Sequence, residues 1–432
     1  MSFELTVSGG DQRQVLRLAR GLRQAGHEVA IYAYRFNPDR CYPDLAREFD
    51  IRAVHRITDG ETATRAGSWG ILGVAIRRYL LESRYFERYL GDADVLNPHG
   101  RPAHRAAVFF KRHKGVPVVW NCNDLVGWEK AGHRARLPRF VHQACSRTVI
   151  EAERKIVRDI DTVVVLSNQV KAAIESAYGR PAYIVHAGVD ADRLREQPDG
   201  GAEIRARYGI QSGMFLAMWM GILEPFRRLE DLLEAIHILI QRNISTHCLI
   251  VGRTQDARVY VNSLKRLVSA HGLQSHVKFV EDTIPEERLA DYYSACDVFV
   301  FPNDQQSWGL APLEALSCRR PVIVSRGSGV HEVLRDGDTA VLVPPRNPEA
   351  LANAISRIAN DPVLAQKIAH HGREFVAGEL TWDSFTNSMA DLMERAVFKH
   401  SPRRTNTWSA RRPAAGLVQG VVSATEPLWR IR

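Results

Sequence analysis

One carboxylate, Glu314, occupies a position where a parallel-sheet protein places ligand-binding groups. It follows a short apolar run, Val298–Phe301, which is bounded by polar residues and Pro and is typical of a buried strand. Pro312 suits the first turn of a helix, so Glu314 is predicted to lie early in a helix. In open parallel sheets, ligands bind where loops leave the carboxyl ends of the strands. A carboxylate there does not favour a phosphate, but it can accept hydrogen bonds from hydroxyls such as those of a ribose.

Two adjacent guanidinium groups, Arg227 and Arg228, follow a glycine-containing strand exit in the stretch M-G-I-L-E-P-F-R-R. Paired guanidiniums near a helix start can hold a diphosphate and stabilise it as a leaving group. The alternative is two solvated arginines at a helix N-terminus, which the helix dipole disfavours. We therefore favour a diphosphate-binding role.

Three motifs that mark common enzyme classes are missing from the sequence. No G-x-G-x-x-G follows an N-terminal strand, and neither G-x-x-x-x-G-K-[ST] nor G-x-S-x-G is present. These absences argue against an NAD dehydrogenase, a P-loop ATPase and a serine hydrolase. The six cysteines are scattered without a C-x-x-C pair. We therefore expect buried thiols in a reducing cytosol, with no disulfides and no metal site.

The composition is that of a globular protein with excess positive charge. The chain has 432 residues, of which 45% are hydrophobic and 25% charged, and a formal net charge of +9. This length suits about two or three domains. No apolar run of about 18 residues and no secretory signal is visible, so we expect a cytoplasmic protein. The charge favours anionic partners such as nucleotide phosphates or acidic lipids, unless it reflects only an arginine-rich composition. Nucleic acid is not expected, because no recognised binding module is present.

Strand and helix signals alternate along both halves of the chain. Such alternation predicts parallel sheets covered by helices on both faces. We therefore predict an α/β fold with two Rossmann-like parallel-sheet domains facing a cleft, the first spanning residues 1–195 and the second 205–380. Residues near Asp192–Arg207, in which Pro198, Asp199, Gly200 and Gly201 cluster, predict a linker between them. Residues 381–400 predict a final helix, for which a return to the first domain is one option.

Two basic segments leave contact with an anionic membrane open. Residues 63–90 predict a basic, aromatic helix that we expect to pack on its own sheet, with a membrane-surface helix as the alternative. Residues 401–432 carry arginines among Ser, Thr, Pro and Ala, so we expect a disordered basic tail, with membrane contact again the alternative. The expected location is cytoplasmic, with peripheral contact at the inner face of the membrane left open.

The predicted strand exits present different groups on the two sides of the cleft. The N-terminal exits offer Gly9 and Gly10, His99 and Asn121–Asp124, whereas the C-terminal exits are rich in arginine and small residues. We expect a nucleotide-linked substrate on the C-terminal side and an acceptor on the other. For His99 alone, the pattern slightly favours a structural histidine over a polar group above a reacting substrate.

Together these motifs resemble family 4 of the retaining glycosyltransferases, which have the GT-B fold. The family's sequence of an acidic residue, Gly-Leu, Glu-Ala, Cys-Gly and Pro-Val is met by Gln306–Leu310, Glu314-Ala315 and Cys318–Val322. The first half has similar counterparts of the family signatures at Gly9-Gly10, Leu18-Ala19, Gly26–Val29, Val165–Ser167 and Gly188–Asp190. Each motif is weak alone, but their order and spacing are specific. Only the chain past about residue 400 lacks a counterpart.

The resemblance implies transfer of a sugar from a nucleoside-diphosphate sugar to a hydroxyl acceptor in glycan, polysaccharide or glycolipid biosynthesis. It implies retained anomeric configuration and no metal or other cofactor. Glu314 would bind the ribose hydroxyls, and Arg228 would take the family's diphosphate-binding Lys position beside Arg227. The remaining residues that it implies are Gly9, Gly10, Gly309, Leu310 and Gly327 for donor binding, His99 and Gln306 with Arg228 for catalysis, and Asn123 and Asp124 on the acceptor side.

The sequence departs from the family's pattern at three positions. Gln306 stands where the family has the first of its two paired Glu residues, Ile222 where an Arg is usual, and Arg319 where a Gly is usual. Arg227 is placed to compensate for Ile222. Gln306 motivates an alternative, a catalytically weakened nucleotide-sugar-binding protein of the same fold, which the retained Glu314 argues against. An epimerase or phosphorylase on this fold fits the motifs less well.

Overall fold

The computed structural model describes residues 1–57, 81–101, 103–123, 147, 150–252, 258–282 and 284–400. In these ranges the chain forms two parallel sheets, one in each half, with helices packed on them. The alternation of strands and helices predicted from the sequence is therefore present in both halves.

The N-terminal sheet consists of two sets of three parallel strands that are joined by residues 96–99. The strands are β1 (Ser2–Leu5), β2 (Ile31–Phe36), β3 (Ile51–Arg56), β4 (Val119–Asn121), β5 (Thr162–Val165) and β6 (Ala182–Ile184). Single parallel bridges link Leu96 to Val118, and His99 to both Ser2 and Asn121. The segment 96–99 thus lies between β1 and β4, where the chain order reverses.

The C-terminal sheet is entirely parallel, in the order β12-β11-β10-β7-β8-β9. Its strands are β7 (Phe215–Met220), β8 (Thr246–Val251), β9 (Val277–Val280), β10 (Val298–Phe301), β11 (Val322–Ser325) and β12 (Val341–Val343). The strand order reverses between β7 and β10, which is the topological switch point where α/β sheets bind ligands. The loops that leave these two strands carry Arg227 and Gln306.

Helices cover both sheets. In the N-terminal half they are α1 (Gly10–Gln24), α2 (Pro43–Ala46), α3 (Ser83–Glu87), α4 (Ala103–Lys114) and α5 (Asn168–Tyr178). In the C-terminal half they are α6 (Pro198–Arg207), α7 (Leu229–Gln241), α8 (Arg258–Ala270), α9 (Leu289–Ala295), α10 (Leu310–Ser317), α11 (Pro348–Asn360), α12 (Pro362–Glu379) and α13 (Trp382–His400). Single 3₁₀ turns occur at Pro225–Arg227, Glu286–Arg288 and Gly329–Val333.

The glycine-rich cluster predicted to be a linker is instead the first turn of α6. Pro198 opens that helix, where its missing N–H costs nothing. A Cβ on Gly201 would lie 2.8 Å from the backbone of Ser294, so a glycine is needed for α6 to approach α9 this closely. The linker prediction is therefore wrong at these residues, because the glycines serve packing and not flexibility.

The final helix, α13, returns to the N-terminal half and packs against α1. Val189 and Thr381 form a single parallel bridge just before it. A Cβ on Gly21 of α1 would lie 2.3 Å from the Thr386 hydroxyl, which shows how closely the two helices approach. The end of the chain that the structure describes is thus part of the N-terminal half in space.

Burial of the cysteines agrees with the sequence prediction within the described residues. Five of them are buried and free: Cys41, Cys122, Cys248, Cys296 and Cys318. Over the same described ranges, no group of three or more His, Cys, Asp or Glu side chains is arranged to hold a metal ion. None of the helices in these ranges has the length and apolar character needed to span a membrane.

Two glycines in α12 provide a test of how that helix supports α10. A Cβ on Gly372 would lie 2.3 Å from Leu316 of α10, whereas a Cβ on Gly378 would meet nothing within 4 Å. We expect Gly372→Ala to lower the melting temperature, because overpacking costs about 1–3 kcal/mol and outweighs the helix-propensity gain of about 1 kcal/mol. Gly378→Ala, the matched control, should leave it unchanged or raise it. Equal shifts for both variants would contradict the close contact between α12 and α10.

Candidate functional site

A cavity of about 710 Å³ lies between the two halves, at the carboxyl ends of both sheets. Its N-terminal wall is formed by residues that follow β1, β2, β5 and β6, and its C-terminal wall by the loops after β7, β8, β9 and β10. This volume is within the range of small-molecule sites, about 300–1,000 Å³. We refer to this cavity as the cleft.

Glu314 lies in the cleft wall as an almost fully covered carboxylate. The residue is 5% exposed, and its Oε2 accepts a hydrogen bond of 2.6 Å from the Tyr293 hydroxyl. Burial and the neighbouring Glu314 charge raise the pKa of Tyr293 well above its usual value, so Tyr293 stays protonated as a donor. Glu314 lies on α10 and lines the cleft, in agreement with its predicted position early in a helix at the mouth of the sheet.

Arg13, which sequence reasoning missed, reaches Glu314 from the opposite wall. Its Nη1 donates to Glu314 Oε1, and its Nη2 lies 3.3 Å from Glu286 Oε1. The guanidinium also lies 5.1 Å from the ring centroid of Tyr42. Burial lowers the pKa of Arg13, but Tyr42, Glu314 and Glu286 together outweigh that effect and raise it. The sequence signal that could have identified Arg13 is its position in the first turn of α1, the helix that begins at Gly10.

Arg227 and Gln306 meet at the switch point between β7 and β10. Gln306 Oε1 accepts hydrogen bonds from Arg227 Nη1 and, at 2.5 Å, from Asn303 Nδ2. The Nε of Arg227 is buried and has no hydrogen-bond partner. Burial lowers the pKa of Arg227 to about 10, with Glu224 acting in the opposite direction. At neutral pH the cleft therefore contains a buried guanidinium whose hydrogen-bonded partner is a neutral amide, which favours an anionic ligand.

Arg228 does not line the cleft and is engaged by its own helix. It has φ 54° before α7, and its Nε and Nη2 pair with the two carboxylate oxygens of Asp231 at 2.9 and 2.6 Å. Glu230 accepts a third hydrogen bond at 2.9 Å. The Asp231 hydrogen bond is the largest effect that raises the pKa of Arg228. Of the two adjacent arginines, the structure brings only Arg227 into the cleft.

The N-termini of α1 and α10 both face the cleft. Gly9 and Gly10 begin α1, and Gly309 precedes Leu310 at the start of α10. A Cβ on Gly309 would lie 2.7 Å from the Phe301 ring, so only glycine fits against β10 here. Neither helix has a side-chain cap, so its first N–H groups are open to an anion.

Gly327 does not line the cleft but supports a residue that does. Its carbonyl oxygen accepts a hydrogen bond of 3.2 Å from the Gln306 N–H. A Cβ on Gly327 would lie 2.8 Å from Asp304, so the loop after β11 approaches closely. Gly327 is thus connected to the cleft through Gln306 and does not line the cleft itself.

The predicted acceptor-side residues lie deeper than the cleft surface. His99 is buried, its Nε2 lies 2.8 Å from Asn97 Oδ1, and burial lowers its pKa well below the usual value. It is therefore neutral at pH 7 and does not line the cleft. Asn123 is buried and donates to Gln14, which does line the cleft. Asp124 lies outside the described residues, as do residues 63–80 and 401–432.

Comparison with known proteins assigns the family. The model for Glycosyltransferase Family 4 matches residues 8–193, and the model for Glycosyl transferases group 1 matches residues 202–375. The chain belongs to family 4, group 1, of the glycosyltransferases. The family resemblance inferred from the motifs is thereby confirmed.

Two curated relatives illustrate the similarity of this family member in sequence. The D-inositol 3-phosphate glycosyltransferase of Streptomyces griseus is 30% identical over 241 residues, covering 51% of this chain and 50% of the relative. The GDP-mannose-dependent alpha-(1-6)-phosphatidylinositol monomannoside mannosyltransferase of Mycolicibacterium smegmatis is 30% identical over 251 residues, covering 56% and 64%. The matches thus span about half to two thirds of these two relatives' length.

Solved structures show the shared fold of this family member. Anabaena Alr3699/HepE in complex with UDP-glucose has a TM-score of 0.70 at 17% identity, covering 91% of this chain and 98% of that one. Sucrose-phosphate synthase from Thermosynechococcus elongatus has a TM-score of 0.72 at 23% identity, covering 91% and 94%. The predicted GT-B architecture, two Rossmann-like domains facing a cleft, is confirmed.

The two adjacent arginines allow a matched test of the anion site. We expect Arg227→Gln to weaken binding of uridine or guanosine diphosphate about tenfold or more, because hydrogen bonds to charged groups contribute about 1.5–3 kcal/mol. Arg228→Gln should change the affinity by less than about twofold, because that guanidinium is held by Asp231 outside the cleft. Isothermal titration calorimetry measures both affinities. A larger loss of affinity in Arg228→Gln than in Arg227→Gln would indicate that Arg228 binds the diphosphate.

Proposed function

We propose that the chain is a retaining glycosyltransferase that moves a sugar from a nucleoside-diphosphate sugar to a hydroxyl acceptor. The observation that carries this proposal is the pairing of groups around one cavity. A buried carboxylate, Glu314, and a buried guanidinium with a neutral partner, Arg227, both line the cleft together with two helix N-termini. Hydroxyl-accepting and anion-binding groups in one cavity are what a ribose linked to a diphosphate requires.

The proposed donor site distributes these groups by their charge. Glu314 accepts hydrogen bonds from the ribose hydroxyls. Arg227 and the first N–H groups of α10 hold the diphosphate, since helix N-termini favour anions. Gly10 and Gly309 keep both helix starts free of side chains, so the backbone can approach the phosphates closely.

In the proposed reaction, the bond between the anomeric carbon and the diphosphate oxygen breaks while the acceptor oxygen bonds to the same face of the sugar. The acceptor proton passes to the departing diphosphate oxygen, so no protein nucleophile is needed. The protein contributes by holding both reactants in place and by stabilising the developing negative charge. Arg227 is the side chain best placed for that stabilisation, because it is already desolvated in the cleft.

The relatives favour glycolipid or polysaccharide biosynthesis as the setting. The names of two of them specify inositol phosphate and phosphatidylinositol monomannoside chemistry. We extend this to the present chain as a polyol or lipid-linked hydroxyl acceptor. Peripheral contact with an anionic membrane, cytoplasmic location and activity without a metal belong to the same proposal.

A donor screen tests the enzyme proposal directly. Incubation with UDP- and GDP-sugars should give nucleotide release that rises when inositol-type or lipid-linked acceptors are added, and nuclear magnetic resonance of the product should show the donor's anomeric configuration. Arg227→Gln should lower kcat by about 10²-fold, as loss of a charge-stabilising donor does in other enzymes. Arg242→Gln, on the outer surface beside Glu349, is the matched control. An inverted product would refute retention, and no release with any acceptor would refute the enzyme.

The second candidate function, a donor-binding protein with weakened turnover, rests on the neutral amide of Gln306. A carboxylate there would pair with Arg227, whereas the amide adds no negative charge beside the guanidinium. Under the enzyme proposal, Gln306→Glu should weaken nucleoside-diphosphate binding, because the new carboxylate competes with the diphosphate for Arg227. Under the alternative, the wild-type chain binds donors without turnover and Gln306→Glu gains activity. Gln306→Met, which has neither charge nor amide, controls for the change of side chain.

A further inference from the structure

One guanidinium, that of Arg13, reaches across the cleft from one half of the molecule to the other. Arg13, from α1 of the N-terminal half, contacts Glu314 of α10 and Glu286 of the C-terminal half. Arg193 also contacts Glu286, at 2.8 Å. The carboxylate assigned to the donor ribose is therefore already occupied by a charge from the opposite wall.

Both oxygens of that carboxylate already accept a hydrogen bond. Tyr293, which is completely buried, takes Glu314 Oε2, and Arg13 takes Oε1. Only 7% of the Glu314 side chain is exposed. A ribose diol that binds a carboxylate from the cleft needs the position that the Arg13 guanidinium fills.

Arg13 is held by its own half, so its position follows that half. Its guanidinium lies against the Tyr42 ring, and the Tyr42 hydroxyl donates to the Gly9 carbonyl oxygen at 3.2 Å. Tyr42 is thereby fixed to the start of α1, the helix that carries Arg13. The arginine has a second carboxylate, Glu286, within reach, so leaving Glu314 does not strand it as an unpaired buried charge.

We propose that Arg13 is a displaceable gate on the ribose site, which neutralises Glu314 in the empty cleft and must leave it when the donor ribose binds. This inference rests on the proposed function, because it concerns the donor's ribose. The ribose hydroxyls and the guanidinium compete for one carboxylate. Donor binding therefore breaks one ion pair between the two halves. As a result, the ribose hydroxyls add less to the donor's affinity than they would at a carboxylate without an ion pair.

A thermodynamic cycle measures this competition by comparing two proteins, the wild type and Arg13→Met, with two ligands. The ligands are a nucleoside diphosphate, UDP or GDP, and its 2′,3′-dideoxy analogue, and the ratio of their dissociation constants gives the contribution of the diol. We expect this ratio to be about tenfold larger in Arg13→Met than in the wild type, or about 1.4 kcal/mol. The ratio excludes the effect of Arg13 on the diphosphate, because both ligands carry the same diphosphate.

Two further variants keep the test decisive. Arg17→Met is the matched control, since Arg17 lies one turn along α1 and pairs with Asp190 at 3.0 Å; its ratio should equal that of the wild type. Arg13→Lys retains the charge but has a single ammonium that cannot bridge two carboxylates in the same way, so its ratio should be intermediate. Arg13→Lys also provides the test if Arg13→Met does not fold.

The outcomes separate the gate from the proposed function. A larger diol ratio in both Arg13 variants, with no change in Arg17→Met, supports the gate. An unchanged or smaller ratio overturns it and makes Arg13 a partner of the ribose instead. If neither nucleotide binds the wild type or any variant, the proposed function fails together with the gate.

Discussion

A hydrogen-bond chain that begins in the core sets the geometry of the cationic end of the cleft. The indole of Trp219 in β7, which is fully buried, donates to Asn303 Oδ1 at 3.3 Å, and Asn303 donates onward to Gln306. Gln306 then accepts from Arg227. Because β7 and β10 are neighbours at the switch point, this chain ties the loops of both strands together. The guanidinium is thus positioned by the packing of the sheet and not by a flexible surface loop.

The two arginines of the cleft, Arg227 and Arg13, lie at opposite ends of it and have different partners. At one end Arg227 faces a neutral amide, and at the other Arg13 is balanced by Glu314 and Glu286. A desolvated charge costs more free energy when it has no paired carboxylate than when it has one. An anionic ligand is therefore favoured most at the Arg227 end of the cleft, where the Nε of the guanidinium has no hydrogen-bond partner. A carboxylate at position 306 would add a negative charge beside Arg227, which the amide of Gln306 does not.

The elements that local sequence determines were predicted well, and those that depend on distant partners were not. The strand Val298–Phe301 has the predicted bounds, because an apolar run between polar residues and Pro is a local signal. Glu314 was likewise placed correctly at the mouth of the sheet. Arg13 was missed because its partner is 301 residues away in sequence. Arg228 and Asp231 lie three residues apart, so their pairing is a local signal, and it argues against a diphosphate role for Arg228.

One short helix, α10, presents both kinds of group that a nucleotide donor needs. Its N-terminus at Gly309 offers N–H groups to an anion, and Glu314 follows about 7.5 Å further along the axis at 1.5 Å per residue. That span is comparable to the reach from a ribose diol to its 5′-diphosphate. Phe301 packs on the start of the helix and Gly372 on its end, so the spacing is rigid. Under the proposed function, one element of the C-terminal half therefore provides both contacts to the donor, and Arg13 of the N-terminal half contacts one of them.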